Sequence, residues 1–223
     1  FKIASADITN VPLLRKVAKI GKPIVLSTGA STNCEIEYAV NELIEGGAPD
    51  IALLHCILNY PTDYKNAGLK GISSLKKIFP EYVVGYSDHT TNDIACIVSV
   101  GLGAKVIEKH FTIDKSMEGP DHSTSATPEE FSHLVKNIRL AELALGSAIK
   151  EPCEIEKDNM YGMRRSIVAK CNIKKGELLD MKSITFKRPS EGLEPRYFEK
   201  IIGKRVIRDI TIDDFIHLKD VEI

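Results

Sequence analysis

The sequence predicts an α/β protein: a parallel sheet with alternating helices over residues 1–146, followed by a small β-rich part. Three observations carry this. Five short runs rich in Val, Ile and Leu recur at roughly 26-residue intervals, with little polar alternation, as strands buried on both faces do. A helix-like segment with capping or breaking residues follows each run. After Gly146 the texture changes to shorter strand-like runs separated by turns.

The strand-like runs are Phe1–Ala6, Lys22–Ser27, Asp50–Cys56, Tyr82–Tyr86 and Ala104–Lys109. The first helix, Val11–Ile20, follows Asn10, an N-cap type, with Pro12 in its first turn. Asn33–Glu45 stops at Gly46-Gly47, Leu69–Phe79 ends before Pro80, and Thr91–Leu102 ends at Gly103. Thr127–Leu145 opens on Thr127-Pro128-Glu129-Glu130, a capping signature. Strand then helix, five times, means parallel strands joined by crossovers. An open doubly wound sheet would carry a Gly-rich turn after its first strand, and Ser5-Ala6-Asp7 is not one. Polar residues instead collect at the C-terminal ends of the strands, where barrel enzymes keep their sites. The expectation is a partial TIM (β/α)8 barrel of about five units with its N-terminal units missing, since the chain opens inside a strand without a methionine. Residues 147–163 read as a linker. The runs Arg165–Lys170, Ser183–Lys187, Lys204–Val206 and Phe215–Leu218 make residues 164–223 a small β-rich domain.

Composition narrows the function. At 43% hydrophobic and 27% charged, the 223 residues suit a folded, soluble protein. Thirty basic residues oppose 31 acidic ones, and neither part is basic, so nucleic acid is not an expected partner. No apolar run approaches the roughly 18 residues of a membrane span. Five cysteines without CxxC spacing fit reduced thiols in a cytoplasmic protein.

His89 and His110 are the sharpest pair. Each sits just after one of two consecutive strands, so both can face one mouth, where two imidazoles suit a divalent Mn, Zn or Fe site or stand as hydrogen-bonded rim residues. Asp88 and Glu108 are either supports for that pair or surface charges. Lys2, Ser5, Ser87 and the Ser27-Thr28-Gly29 turn supply a cation, hydroxyls and backbone N–H groups that suit a phosphate, or form an ordinary turn beside a solvated lysine. The cysteines read as core thiols.

The strings Lys2-Ile3-Ala4-Ser5, Ser27-Thr28-Gly29-Ala30, Leu53-Leu54-His55-Cys56 with Tyr60-Pro61-Thr62, Gly85-Tyr86-Ser87-Asp88-His89-Thr90, Val106-Ile107-Glu108-Lys109-His110-Phe111-Thr112, Gly119-Pro120-Asp121-His122-Ser123 and Arg164-Arg165-Ser166 occur in that order. Together they resemble the sialic acid synthase family, the N-acetylneuraminate and legionaminate synthases, along essentially the whole chain. The last part resembles the antifreeze-like (SAF) domain of those enzymes. The resemblance implies a transferase that condenses phosphoenolpyruvate with an N-acylated mannosamine-type sugar and water, releasing phosphate. It implies a divalent metal on His89 and His110, Mn2+ foremost, with Mg2+ or Co2+ as alternatives. It places Lys2, Ser5 and Ser87 at phosphoenolpyruvate, and Asp7, Tyr60 and Asp121 at the sugar. Asp7 stands where many members carry Glu. Arg188 matches the arginine that reaches from a partner subunit to the sugar's N-acyl group, which implies a domain-swapped homodimer. Ile57-Leu58-Asn59 departs from a common Thr-Asn or Thr-Ser pairing, with Asn59 as a candidate substitute on the phosphate side. The family's first three strands, with a second phosphate-binding lysine, have no counterpart here, so the isolated chain is expected to be inactive. The rival readings are another metal-dependent barrel aldolase and an inactive sugar- or metal-binding fragment.

Overall fold

The computed structural model describes residues 1–222 and divides into two compact units, 1–148 and 149–223. In the first unit the chain alternates β1 (Lys2–Ile3), α1 (Val11–Ala18), β2 (Ile24–Ser27), α2 (Asn33–Glu45), β3 (Ile51–Cys56), α3 (Lys70–Ile78), β4 (Val83–Asp88), α4 (Ile94–Gly101), β5 (Ile107–Lys109) and α5 (Pro128–Leu145). The strands pair in parallel in chain order, β1-β2-β3-β4-β5. Lys2 on β1 reaches to 3.5 Å of Glu108 on β5, from one edge strand to the other, so the sheet curls into a half-barrel.

Side chains alternate across each strand, and the register sorts them into two faces. Ile3, Leu26, Leu53, Val84 and Tyr86 lie on the face the helices cover, in one buried core with Leu14, Leu43 and Ile72. Burying each such aliphatic side chain is favourable by about 1.5–3 kcal/mol, so this layer is what holds helices to sheet. Lys2, Ser27, Leu54, Cys56, Ser87 and Glu108 occupy the alternate, helix-free face, the interior of the half-barrel. Gly85 sits on that face because a Cβ there would overlap the Val106 carbonyl oxygen and Leu54.

The helix starts follow the sequence. Asn10 accepts from the Leu13 N–H. Thr32 with Glu35 and Thr127 with Glu130 form capping boxes. Several boundaries differ from expectation. β1 is only Lys2–Ile3, with Ser5–Asp7 in a 3-10 turn, and β2 and β5 begin at Ile24 and Ile107. Strand β4 runs on to Asp88, because Ser87 and Asp88 still pair with Glu108 and Lys109. Helix α4 begins at Ile94 rather than Thr91, since Asp88, Thr90 and Asn92 hold the preceding backbone in turns.

In the second unit, part of the segment read as a linker is a helix, α6 (Glu154–Met163). Its first turn is held by the Cys153 N–H, which donates to Glu156, and a Cys cap with scattered apolar residues gives no sequence signature. Strands β6 (Ser166–Ala169) and β7 (Ile184–Lys187) pair antiparallel. The other two expected strands reduce to single bridges, Val206↔Val221 and Leu178↔Arg205 around the first and Val168↔Phe215 at the second. A short helix, α7 (Phe198–Ile201), and a separate apolar core around Ile167, Leu179, Ile201 and Ile216 complete this unit. Among the described residues, no helix is long and apolar enough to cross a membrane.

Candidate active site

The strand ends on the helix-free face gather the polar residues. Ser87 is buried and donates to Glu108 Oε1 at 2.8 Å; Glu108 also pairs with Lys2. Ser5, buried in the 3-10 turn after β1, lies beside Gly29, where a Cβ would come within 3.0 Å of Ser5 Oγ and 3.1 Å of Cys56 Sγ. Gly29 thus lets backbone approach the serine and thiol closely. Burial pushes the Cys56 thiol up, against smaller opposing hydrogen bonds to Ser87 and Ser5, so it stays protonated. The Ser27 hydroxyl is buried and has no hydrogen-bond partner among the described residues. A buried hydroxyl without a partner is costly unless something else bonds to it. A lysine, three serine hydroxyls and a Gly-opened turn on one face can hold a small dianion.

Beyond them stand the two imidazoles. The rings of His89 and His110 lie 5.2 Å apart between centroids, at 70° to each other. The His89 Nδ1–H donates to the Ile57 carbonyl at 2.7 Å, which leaves Nε2 as the lone-pair nitrogen. Burial pushes the His89 imidazolium down, and the Ile57 contact only partly opposes it, so the ring is neutral. A neutral imidazole whose second nitrogen is tied to a backbone carbonyl is the arrangement metal-binding histidines adopt. The donor set therefore fits a divalent ion held by His89 and His110; among the described residues no third His, Cys, Asp or Glu joins them. Tyr60 packs its ring 4.0 Å from that of His89 and 5.5 Å from that of His110. Its loop is pinned there by the Thr62 N–H donating to the His89 carbonyl. Asp121 lies 3.7 Å from His110 Nδ1.

The structure thus brings together Lys2, Ser5, Ser87, His89, His110, Tyr60 and Asp121. Two others, Asp7 and Asn59, make their contacts elsewhere. Asp7 contacts Asn10 at 3.5 Å, and no contact links it to the histidines. Asn59 turns its amide back on its own loop, donating to the Pro61 carbonyl. Arg188 is exposed at the end of β7 in the second unit. His55, at another strand end, faces the helices and bonds to the Ala67 carbonyl. The expected core thiols divide: Cys34, Cys153 and Cys171 are exposed, Cys96 is buried, and Cys56 is buried beside Gly29. The parity of Cys56 with Ala52 and Leu54, opposite to core Leu53, was the signal that puts it on the helix-free face.

On the other face of the same strand ends lies a sealed network. Asp88 and Lys109 pair at 2.6 Å, with side chains 0% and 5% exposed. Burial, with the nearby Asp88 charge, pushes the Tyr86 phenol and the Cys96 thiol up, so both keep their protons and donate to Asp88.

A half-barrel with a lysine, serine hydroxyls and two convergent imidazoles at its strand ends, on a chain that continues into a small β unit, is a partial TIM barrel with an appended domain. The family is settled by comparison: residues 1–150 match the NeuB family and residues 164–222 the SAF domain, and the chain belongs to the NeuB family. It is 55% identical over 99% of its length to an uncharacterized protein of Methanocaldococcus jannaschii, covering 65% of that protein. It is 44% identical over 97% of its length to the N,N'-diacetyllegionaminic acid synthase of Campylobacter jejuni, again covering 65%. The crystal structure of an N-acetylneuraminic acid synthetase from Leptospira borgpetersenii, in complex with citrate, superposes with a TM-score of 0.66 at 37% identity, over 71% of this chain and 55% of that one. The chain spans just under two thirds of the length of these two curated relatives.

Proposed function

We propose that this chain serves the condensation of phosphoenolpyruvate with an N-acylated mannosamine-type sugar and water, giving a nonulosonic acid and phosphate. The carrying observation is the buried, unpartnered Ser27 hydroxyl on the same face as Lys2, Ser5, Ser87 and the two imidazoles. A dianion beside it supplies the missing acceptor. The names of the Campylobacter and Leptospira relatives support the product class.

In this reading Lys2, Ser5, Ser27 and Ser87 bind the phosphate and carboxylate of phosphoenolpyruvate and aim its methylene carbon at the sugar. His89 and His110 hold the divalent ion, with Mn2+ proposed and Mg2+ or Co2+ as alternatives. When bound, that ion supplies Lewis acidity at the sugar's aldehyde oxygen. The enol carbon forms a bond to the aldehyde carbon, water adds to C2 of phosphoenolpyruvate, and the C2–O bond breaks to release phosphate. Tyr60, its phenol pushed up by burial, stays protonated and offers the sugar a ring face and a donor. Asp121 and Asp7 accept from sugar hydroxyls. Arg188, from a partner subunit of a homodimer, is the proposed donor to the N-acyl carbonyl. Five free thiols accord with a cytoplasmic setting.

The test incubates the purified full-length protein that carries this chain with Mn2+, phosphoenolpyruvate and N-acetylmannosamine. The expected result is one phosphate per nonulosonic acid, with no release when either substrate is omitted. The same product formed from pyruvate, with phosphoenolpyruvate inert, would establish an aldolase instead.

A further inference from the structure

The deeper layers of the helix-covered face are apolar, Ile3, Leu26, Leu53 and Val84 among them, yet its last layer is an ion pair. Lys109 Nζ donates to Asp88 Oδ2 at 2.6 Å and to the carbonyls of Thr90 and Asn92 at 2.7 and 3.1 Å. Asp88 Oδ1 accepts from the Tyr86 hydroxyl and the Thr90 N–H, both at 2.9 Å. Its Oδ2 also accepts from the Thr90 hydroxyl at 3.1 Å and the Cys96 thiol at 3.2 Å. Desolvation cancels much of the attraction in such a buried pair, and apolar side chains of similar size would fill the space as well. Stability alone does not account for two charges here.

Their position does. Asp88↔Lys109 is the last rung of the β4–β5 ladder, and the next residues on the two strands are His89 and His110. Past that rung the strands part: the His89 carbonyl accepts from Thr62 and the His110 carbonyl from Ala126. The two carbonyls thus turn to other segments just past the last β4–β5 pair. The Lys109 side chain spans the same point. Its ammonium grips the side chain of residue 88 and the backbone of residues 90 and 92, bracketing His89, while its own backbone leads directly into His110.

We propose that the Asp88–Lys109 pair is a positioning device, setting from the far side of the sheet the spacing at which His89 and His110 share one divalent cation. The inference rests on the reading of those histidines as metal-holding residues. It predicts that neutralising the pair loosens the imidazoles without touching the anion pocket.

The test compares the parent protein with the double variant Asp88→Asn/Lys109→Met, which leaves neither charge unpaired, and with His89→Ala. Mn2+ affinity is read by EPR titration, and the His89 tautomer in metal-free protein by side-chain nitrogen NMR. The double variant should melt cooperatively and bind phosphoenolpyruvate in the absence of metal as the parent does. Its Mn2+ dissociation constant should rise about 10- to 100-fold, the loss typical of removing support behind metal ligands. The single Nδ1–H tautomer of His89 should become a mixture. A folded double variant that keeps the parent's Mn2+ affinity and tautomer overturns the positioning role. If it does not fold, Asp88→Asn alone leaves Lys109 its two carbonyl acceptors and should still weaken Mn2+ binding; a folded Asp88→Asn with parental affinity contradicts the proposal. Unchanged Mn2+ binding in His89→Ala would instead remove the metal reading itself, so the two failures are told apart.

Discussion

The ends of β4 and β5 present two different chemistries on their two faces. On the helix-free face, Ser87, His89, Glu108 and His110 touch other polar groups, and the same face carries one unsatisfied hydroxyl, that of Ser27. On the helix-covered face, one residue away, Asp88 and Lys109 are sealed and every bond is closed within the protein. Adjacent residues of a strand divide between ligand and scaffold, because the pleat sends them to opposite sides. Charge by itself does not mark a binding residue; the face it occupies does.

The sharpest way to break this comparison is to substitute each face separately. His89→Ala or His110→Ala should abolish phosphoenolpyruvate-dependent turnover while the melting temperature barely moves, measured by phosphate release and thermal denaturation. Lys109→Met should lower stability as well as weaken Mn2+ binding. Leaving Asp88 buried and unpaired should cost about 3–5 kcal/mol in chemical denaturation. By contrast, Lys2→Met on the helix-free face, where the side chain is 34% exposed, should cost no more than about 0.5 kcal/mol, as surface substitutions usually do. It should raise the KM for phosphoenolpyruvate roughly 10- to 150-fold, the worth of one charged hydrogen bond. Arg188→Ala should weaken use of the sugar by a similar factor of roughly 10 to 150 and leave phosphoenolpyruvate binding intact, seen as a split between the two KM values. The smallest effect sharpens the contrast most finely. Ser27→Ala should leave stability unchanged or slightly raised, since its hydroxyl has no protein partner to lose, yet weaken phosphoenolpyruvate binding by about 2- to 12-fold.

Much of this was legible in the sequence. The five βα units were, because runs such as Ile51–Cys56 are too apolar for a surface and each ends at a turn or cap. The convergence of His89 and His110 was too, because they follow neighbouring strands; their matching positions appear only in the register. The continuation of β4 through Ser87-Asp88 was not: a serine and an aspartate read as a loop, and only the partners Glu108 and Lys109 make them strand. Helix α6 was hidden by its Cys cap and thin apolar pattern. Asn59 illustrates the opposite failure. Its amide type suited a phosphate, but a local bond to the Pro61 carbonyl turns it into its own loop. Lys109 and Asp88 were seen only as charges, since tertiary burial cannot be read from two letters in separate strings.

In the proposed function, one face of these strand ends holds phosphoenolpyruvate beside a divalent ion carried by His89 and His110. The most direct measurement is the relaxation of the phosphoenolpyruvate phosphorus in 31P NMR, with protein-bound Mn2+ as the paramagnetic probe. The account predicts strong relaxation enhancement with the parent protein and its loss in both His89→Ala and Lys2→Met, the first by removing the ion and the second by removing the ligand. Protein-bound Mn2+ that leaves the phosphorus relaxation of bound phosphoenolpyruvate unchanged would contradict it.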